Sequence, residues 1–255
     1  MKEKIVQMLD AIEKKHGIRI IYAVESGSRA WGFASKDSDY DVRYIYIRPV
    51  RDYLSLVPFK DTIEGPLDEI MDFSGWDIRK TLGLLRKTNP SLIEWIGSPI
   101  VYRTTPEWES VSSVFPQFFD PTANAYHYLS MATTNRQKHL QSEKIKLKKY
   151  FYVLRPILCC RWLEIFSTVP PVPFQKLCDT VLPVELNDIV DDLLLRKQTS
   201  DEKDFSDHIP ALDVFIDTEI PRLQNLFQSL PKKTPCDYKE LDDIFFRLIA
   251  VGEHS

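Results

Sequence analysis

Cysteine is scarce in this chain of 255 residues, which contains only four. None of them forms a Cys-x-x-Cys pair, and they do not make the disulfide framework of a small secreted domain. The five histidines also lack the spacing of metal ligands. Stability must therefore come from a hydrophobic core, and a hydrophobic content of 44% is enough to build one.

Long apolar runs are absent as well. No stretch reaches the about 18 apolar residues that a membrane-spanning helix needs. The N-terminal residues 1–5 are charged and lack the apolar region of a signal peptide. We therefore expect a cytoplasmic protein without a membrane partner.

The net charge is small, −4 at pH 7, and gives no bulk attraction to nucleic acid. The charges are unevenly distributed, however. Residues 130–161 hold eight Lys or Arg against one acid, whereas residues 162–255 hold nine against eighteen. The basic stretch is either a stripe that faces an anionic ligand or an ordinary solvated helix face. The overall acidity weakens the case for a long nucleic acid as partner.

A glycine–serine turn followed by paired aspartates is the most informative feature of the sequence. Gly27 and Ser28 leave a predicted strand, and their N–H groups and hydroxyl suit a phosphate. Asp39 and Asp41 open the next predicted strand, where alternation places both side chains on one face. Adjacent carboxylates repel unless a cation or a proton lies between them, and such oxygen ligands suit Mg²⁺ or Mn²⁺. The combination predicts a nucleoside triphosphate site with a divalent cation.

Two other interpretations of this stretch are weaker. Residues 35–39 are also typical of a solvated turn before a strand, and a lone Asp-x-Asp is often only that. Gly27 and Gly32 have the glycine spacing of a P-loop, but Phe33 and Ala34 stand where Lys and Ser or Thr are needed. The P-loop is therefore excluded, and the pairing with Gly-Ser favours a functional site over a turn.

The same residues resemble the signature of the polymerase-beta-like nucleotidyltransferases: Gly-Ser, a spacer, here Arg29–Ser38, and then Asp-x-Asp. The longer wording is similar to one bacterial branch named for an association with RNA repair. That wording is Glu-Ser-Gly-Ser-Arg-Ala-Trp-Gly-Phe-Ala-Ser, followed by Asp-Ser-Asp-Tyr-Asp-Val-Arg. Ser26, where the broad pattern has an apolar residue, is a departure. The resemblance covers residues 18–103 and, more weakly, 125–166, and it implies metal-dependent nucleotidyl transfer.

Two-metal phosphoryl transfer usually needs a third carboxylate. The candidates are Asp68, Glu69 and Asp72. The resemblance implies Asp72, because residues 72–80 look like the strand-to-helix segment of the family, and Asp68 is the second choice. Asp72 would then join Asp39 and Asp41 in holding the cation. Its alternative role is that of a turn residue on the approach to a helix.

Further nucleotide contacts are predicted at four positions. Arg29, beside the Gly-Ser turn, is either a phosphate contact or a surface charge. Lys148, Tyr152 and Arg155 fall at i, i+4 and i+7 on one face of a predicted helix, in a segment similar to the second domain of the family. Such a face would bind phosphates and stack on a base, unless it is a solvated outer face.

The order of elements predicts an α/β (α+β) fold with two domains. A small mixed-sheet nucleotidyltransferase domain is expected at residues 1–115, and an all-helical domain at residues 116–255. Predicted strands are 18–24, 40–48, 61–64, 67–73 and 100–102. Predicted helices are 3–15, 76–87, 90–96, 106–119, 121–142, 143–167, 184–197, 208–229 and 238–250.

We predict an enzyme that transfers a nucleoside monophosphate from an NTP, preferably ATP, to an acceptor hydroxyl. The acceptor is an RNA end, a small molecule or a protein side chain. A catalytically silent nucleotide-binding or interaction protein is the alternative, although all three candidate carboxylates are present. A partner-regulated module of toxin–antitoxin type is a further alternative that no residue supports directly.

Overall fold

The computed structural model describes residues 1–35, 37–65, 70–199, 205–230 and 237–250. They form two compact units. The first contains Met1–Ala30, Asp39–Phe119 and the C-terminal helix, and the second contains Trp31–Ser38 and the segment 120–234. Among the residues described, no helix combines the length and apolarity required to cross a membrane.

A five-stranded mixed sheet lies at the centre of the first unit. Its strands are β1 Arg19–Glu25, β2 Tyr40–Ile47, β3 Thr62–Glu64, β4 Met71–Asp77 and β5 Val101–Thr104. Their order in the sheet is β3-β4-β2-β1-β5. Strand β2 runs parallel to β4, and the other neighbouring strands are antiparallel. The short strands β3 and β5 therefore form the two edges.

Helices make up most of the remaining chain. Those described are α1 Lys2–His16, α2 Gly27–Trp31, α3 Val50–Tyr53, α4 Ile78–Arg86, α5 Pro90–Ile96, α6 Pro106–Ser112, α7 Phe115–Phe118, α8 Pro121–His139, α9 Lys148–Phe166, α10 Phe174–Val181, α11 Asn187–Thr199, α12 Pro210–Gln228 and α13 Lys239–Ala250. Helix α1 covers one face of the sheet. Its residues Ile5, Leu9 and Ile12 recur at helical spacing and are buried against Tyr44 and Phe73. We call this group the α1 core.

The second unit is built on α8, α9 and α12, which pack against one another. It also contains a two-stranded ladder, in which β6 (Ile145–Lys146) pairs with β7 (Phe205–Ser206). The loop Trp31–Ser38 belongs to this unit. Its Phe33 is buried and stacks on Phe151 with ring centroids 4.6 Å apart. The stretch between the glycine–serine turn and the paired aspartates is thus held by aromatic packing.

The predicted α/β class is confirmed, but several element bounds differ. Strand β4 continues to Asp77, and α4 begins at Ile78 instead of Trp76. The reason is that Asp77 caps the helix, accepting the N–H of Arg79 at 2.8 Å. Helix α10 was not predicted, and the predicted helix 106–119 is two helices, α6 and α7.

The second unit also differs from the sequence-based expectation. The β6–β7 ladder places two short strands in a region that was predicted to be all-helical. Local pattern did not predict this ladder, because it pairs residues that are far apart in the sequence. Pro156 lies inside helix α9 and does not start a new helix, whereas the alternative expectation of a kink there stays a prediction. The domain boundary between residues 115 and 116 stays a prediction; in the structure the segment Asp39–Phe119 of the first unit ends at Phe119. However, α13 belongs to the first unit and loop 31–38 to the second.

The buried cap of α4 should make stability depend on pH. Asp77 is fully buried, and burial raises its pKa to about 6, although Tyr53 and the backbone of Arg79 donate hydrogen bonds to it. The unfolded carboxyl titrates near pH 3.9. Between these values the native state holds a proton that the unfolded state has lost, so rising pH lowers the free energy of unfolding.

Asp77→Asn should remove this dependence, because an amide oxygen can still cap the helix but does not titrate. As pH rises from about 4 to 7, we expect the stability of the wild type to fall relative to Asp77→Asn by on the order of 3 kcal/mol. Denaturant unfolding of both proteins across this range measures the difference. Parallel stability curves would show that Asp77 is not the titrating group.

Candidate active site

Gly27 and Asp41 are in close contact where β1 ends and β2 begins. The N–H of Ser26 donates to the carbonyl oxygen of Asp41 at 2.9 Å. Gly27 has a φ of +60°, a left-handed conformation that favours glycine, and a Cβ atom there would lie 2.2 Å from Oδ2 of Asp41. Backbone conformation and the space taken by the Asp41 carboxylate therefore both require glycine. Gly27 also begins α2, the single-turn helix that contains Ser28 and Arg29.

Asp41 and Asp72 lie side by side on adjacent strands. Strands β2 and β4 are parallel, and Asp41 is in register with Asp72, so their side chains share a face of the sheet. Val42 is buried in the same hydrophobic cluster as the α1 core, and Tyr40 packs against that cluster. The alternation predicted for Tyr40, Asp41 and Val42 is therefore present, and Asp41 and Asp72 lie on the face opposite the α1 core. Asp39 precedes β2, which begins at Tyr40, so its side of the strand stays a prediction.

Arg43 holds these two carboxylates together. Its Nη2 donates to Oδ1 of Asp41 at 2.9 Å and to Oδ2 of Asp72 at 2.8 Å. Its Nη1 donates to the carbonyl oxygens of Asp72 at 3.1 Å and of Val42 at 3.2 Å. Charge-assisted bonds of this kind are the stronger class of hydrogen bond. The sequence analysis missed Arg43, although its spacing of two from Asp41 on a strand is the signal that could have found it.

Asp39 and Arg29 lie next to this pair. Nε of Arg29 donates to the carbonyl oxygen of Asp39 at 3.2 Å, and the guanidinium lies 3.7 Å from the centroid of the Tyr40 ring. Arg29 is thus held at the entrance to β2. This position is compatible with the predicted phosphate contact, which the structure does not test.

The charges of the three predicted aspartates act on one another. Burial raises the pKa of Asp41; the Arg43 guanidinium lowers it, and the negative charges of Asp72 and Asp39 raise it. The net effect is a pKa above the usual value for an aspartate. Asp41 therefore lies within range of the negative charges of Asp39 and Asp72.

Glu25 is a second residue of this site that the sequence analysis missed. It is fully buried, and its Oε1 accepts the N–H of Asp41 at 2.9 Å while its Oε2 accepts the hydroxyl of Tyr102. Burial raises the pKa of Glu25. The carboxylate ties the end of β1 to β2 and to the edge strand β5, and so fixes the backbone that carries Asp41. An acid at the end of an apolar strand was the available signal.

The three nucleotide contacts predicted in the later basic stretch lie in the second unit. Arg155 is only 2% exposed; its Nη2 donates to the carbonyl oxygen of Val172 at 3.2 Å, and its guanidinium lies 4.7 Å from the Trp31 ring centroid. The ring of Tyr152 lies edge-on to Trp31 at 6.1 Å. Lys148 begins α9 and is partly buried. The face is thus not simply solvated, and nucleotide binding by these residues stays a prediction.

Asp39, Asp41 and Asp72 offer the hard oxygen donors that Mg²⁺ or Mn²⁺ prefers. Within the described ranges, no group of three or more His, Cys, Asp or Glu side chains is arranged to hold a metal ion. The chemistry of the donor set fits a divalent cation, but the Arg43 guanidinium lies between two of the donors. Asp68, the second choice for the third acid, lies outside the described residues.

A comparison with known families decides the relationship. The family described as "RNA repair pathway DNA polymerase beta family", RlaP, matches residues 1–247. This chain belongs to the RlaP family. The polymerase-beta-like nucleotidyltransferase resemblance of the motif is thereby confirmed, and the site lies on the segment that carries it. Membership supports a nucleotidyltransferase-like activity in general terms.

Another protein of similar length resembles this RlaP chain throughout. The Bacillus subtilis (strain 168) protein named "Uncharacterized protein YcgL" is 42% identical over 251 residues, which cover 98% of this chain and 96% of that protein. A crystal structure of a nucleotidyltransferase-like protein from Exiguobacterium sibiricum is 14% identical, with a TM-score of 0.33. That match covers 88% of this chain and 74% of the other. The α/β assignment itself rests on the strands and helices described above.

Proposed function

We propose that this protein is a metal-dependent nucleotidyltransferase that transfers a nucleoside monophosphate from an NTP to an acceptor hydroxyl. The observation that supports the proposal is the register of Asp41 with Asp72 on parallel strands, directly beside Gly27. Family membership gives the general reaction class. Asp39, Asp41 and Asp72 are the proposed catalytic residues and cation ligands.

The reaction would proceed at the α-phosphorus of the NTP. A bond forms between the acceptor oxygen and this phosphorus, and the hydroxyl proton passes to water. The bond from the α-phosphorus to the oxygen that bridges to the β-phosphate breaks, and pyrophosphate leaves with that oxygen. The N–H of Gly27, the hydroxyl of Ser28 and the guanidinium of Arg29 would bind the β- and γ-phosphates. Since Gly27 touches the Asp41 carboxylate, these contacts would orient the triphosphate against the aspartates.

Asp39 and Asp41 would hold a Mg²⁺ or Mn²⁺ ion that accompanies the triphosphate, and Asp72 would complete the ligand set toward the acceptor. When bound, such a cation neutralises negative charge on the phosphates and lowers the pKa of the acceptor hydroxyl. Glu25 would act as a positioning residue, because it holds the backbone N–H of Asp41.

ATP is the proposed donor, and the acceptor is proposed to be a hydroxyl on an RNA end, a small molecule or a protein. The basic residues between 130 and 161 favour an anionic acceptor. Lys148, Tyr152 and Arg155 are proposed as further nucleotide contacts, and Arg155 would have to leave its contacts with Trp31 and Val172 to reach a ligand. The name of the family refers to an RNA repair pathway. It supports RNA as the first acceptor to test.

A catalytically silent nucleotide-binding protein is a second candidate function. The observation that favours it is Arg43, which satisfies Asp41 and Asp72 without any metal ion. In this alternative the guanidinium permanently replaces the cation, and the protein binds NTP without turnover.

Pyrophosphate release separates the two functions. The purified chain would be incubated with each of the four NTPs and Mg²⁺ or Mn²⁺, alone and with RNA, cell metabolites or protein as acceptors. For an active transferase we expect release that depends on one class of acceptor and that falls to background when EDTA removes the metal. NTP binding without release under every condition would favour the silent protein.

A further inference from the structure

Arg43 is placed on the face of the sheet that carries the candidate catalytic acids. It lies two residues after Asp41 on β2, and its side chain is only 17% exposed. Its guanidinium contacts one carboxylate oxygen of Asp41 and one of Asp72. The positive charge therefore lies where the two acids would share a cation.

The electrostatics of this arrangement are those of a counterion. Two carboxylates on neighbouring strands repel each other, and a single cation between them removes the repulsion. The pair is partly shielded from water, since the side chains of Asp41 and Asp72 are 31% and 49% exposed. Nη2 of Arg43 lies between Oδ1 of Asp41 and Oδ2 of Asp72, so a divalent cation that bridges these two oxygens would need the space that the guanidinium takes.

We infer that Arg43 is a built-in counterion that a divalent cation must displace from Asp41 and Asp72 before it binds. This inference rests on the proposed function, because it concerns the cation of that same site. It adds a regulatory property: Arg43 weakens cation binding by the protein alone while keeping the two strands together in the absence of metal. A displaced guanidinium on this face would be available to the phosphates of a bound NTP.

The chain offers a matched control. Arg103 also bridges two carboxylates in the first unit, those of Asp10 and Glu13, and its side chain is 18% exposed. It lies on β5, and its partners lie on α1. Removing Arg103 should therefore break ion pairs to two carboxylates, as removing Arg43 does. Neither of the carboxylates freed by this change is a proposed cation ligand.

Direct titration with Mn²⁺, followed by the electron paramagnetic resonance signal of the free ion, tests the inference. We expect Arg43→Gln to bind Mn²⁺ at least about tenfold more tightly than the wild type, a factor equal to about 1.4 kcal/mol. Arg103→Gln should bind as the wild type does. The double variant Arg43→Gln/Asp72→Asn should no longer bind Mn²⁺ more tightly than the wild type. That result would show that the tighter binding of Arg43→Gln depends on Asp72.

Thermal unfolding provides a second readout. Without metal, Arg43→Gln should unfold at a lower temperature than the wild type, because Asp41 and Asp72 then repel without a counterion. Added Mn²⁺ should raise the melting temperature of Arg43→Gln more than that of the wild type or of Arg103→Gln. Arg43→Lys keeps the positive charge and is the control for a folding defect caused by any substitution at this position. Its Mn²⁺ affinity should be close to that of the wild type.

Equal or weaker Mn²⁺ binding by folded Arg43→Gln would overturn the inference. If the wild type still releases pyrophosphate from NTP in that case, the proposed function stands without it. If neither protein binds Mn²⁺ and the wild type shows no transfer under any condition, both the inference and the proposed function fail.

Discussion

Asp41→Asn is expected to lower nucleotidyl transfer by about 10³-fold or more while leaving the fold intact. The amide has the same shape as the carboxylate, so it fits against Gly27 and can still accept a hydrogen bond from Arg43. It lacks the negative charge that a divalent cation and its attached triphosphate require. A loss of several kcal/mol of transition-state stabilisation corresponds to a decrease of this size. Asp39→Asn should behave in the same way.

Asp10→Asn is the matched control for these variants. Asp10 is also an aspartate paired with an arginine in the first unit, but it lies on α1 and is largely exposed. We expect it to keep wild-type activity. Initial rates of pyrophosphate release, with circular dichroism to verify folding, provide the comparison. Wild-type rates in folded Asp39→Asn and Asp41→Asn would remove these residues from the mechanism.

Gly27→Ala should cause the second largest loss, about 10²-fold in transfer rate, through misplacement of the Asp41 carboxylate. The new Cβ atom would lie 2.2 Å from Oδ2 of Asp41, so the carboxylate or the turn must move. The left-handed backbone adds a conformational cost of about 1–2 kcal/mol. Activity and the free energy of unfolding should therefore both decrease.

Gly17→Ala separates these two effects. Gly17 has the same φ of +60°, but no atom lies within 4 Å of its ideal Cβ position. It should lose only the conformational part of the stability, about 1–2 kcal/mol, with no change in transfer rate. If both alanine variants lose activity equally, or if neither does, the contact between Gly27 and Asp41 has no special role in catalysis.

The sequence was sufficient to predict the features of the site that depend on local pattern. The alternation of Tyr40 and Val42 with Asp41 predicted that Asp41 lies on the other side of β2, because period two is a property of any strand. Helices α1 and α5 followed from local sequence pattern in the same way.

Contacts between distant segments were not predictable from local pattern. Asp72 was chosen from a family resemblance, and only the parallel pairing of β2 with β4 shows that it is in register with Asp41. The spacing of Arg43 from Asp41 placed the two on one face of β2, but its contact with Asp72 depends on the pairing of β2 with β4. Glu25 resembles an ordinary strand end until Tyr102 and the N–H of Asp41 are placed around it.

The predicted helix face in the second unit illustrates a different limit. Periodicity correctly places Lys148, Tyr152 and Arg155 on one side of a helix, but it does not show what covers that side. Trp31, from the loop between the two halves of the motif, packs against Tyr152 and Arg155. An arginine that looked available to a ligand is therefore buried against an indole ring and a backbone carbonyl.

Transfer of label from an NTP carrying a radioactive α-phosphate tests the central claim most directly. With Mg²⁺ and the acceptor found by the pyrophosphate screen, the wild-type protein should attach the α-phosphate covalently to that acceptor. The Asp39→Asn and Asp41→Asn variants should leave it on the nucleotide. Absence of labelled acceptor with the wild type, or equal labelling by the wild type and both variants, would contradict the assignment of these aspartates to nucleotidyl transfer.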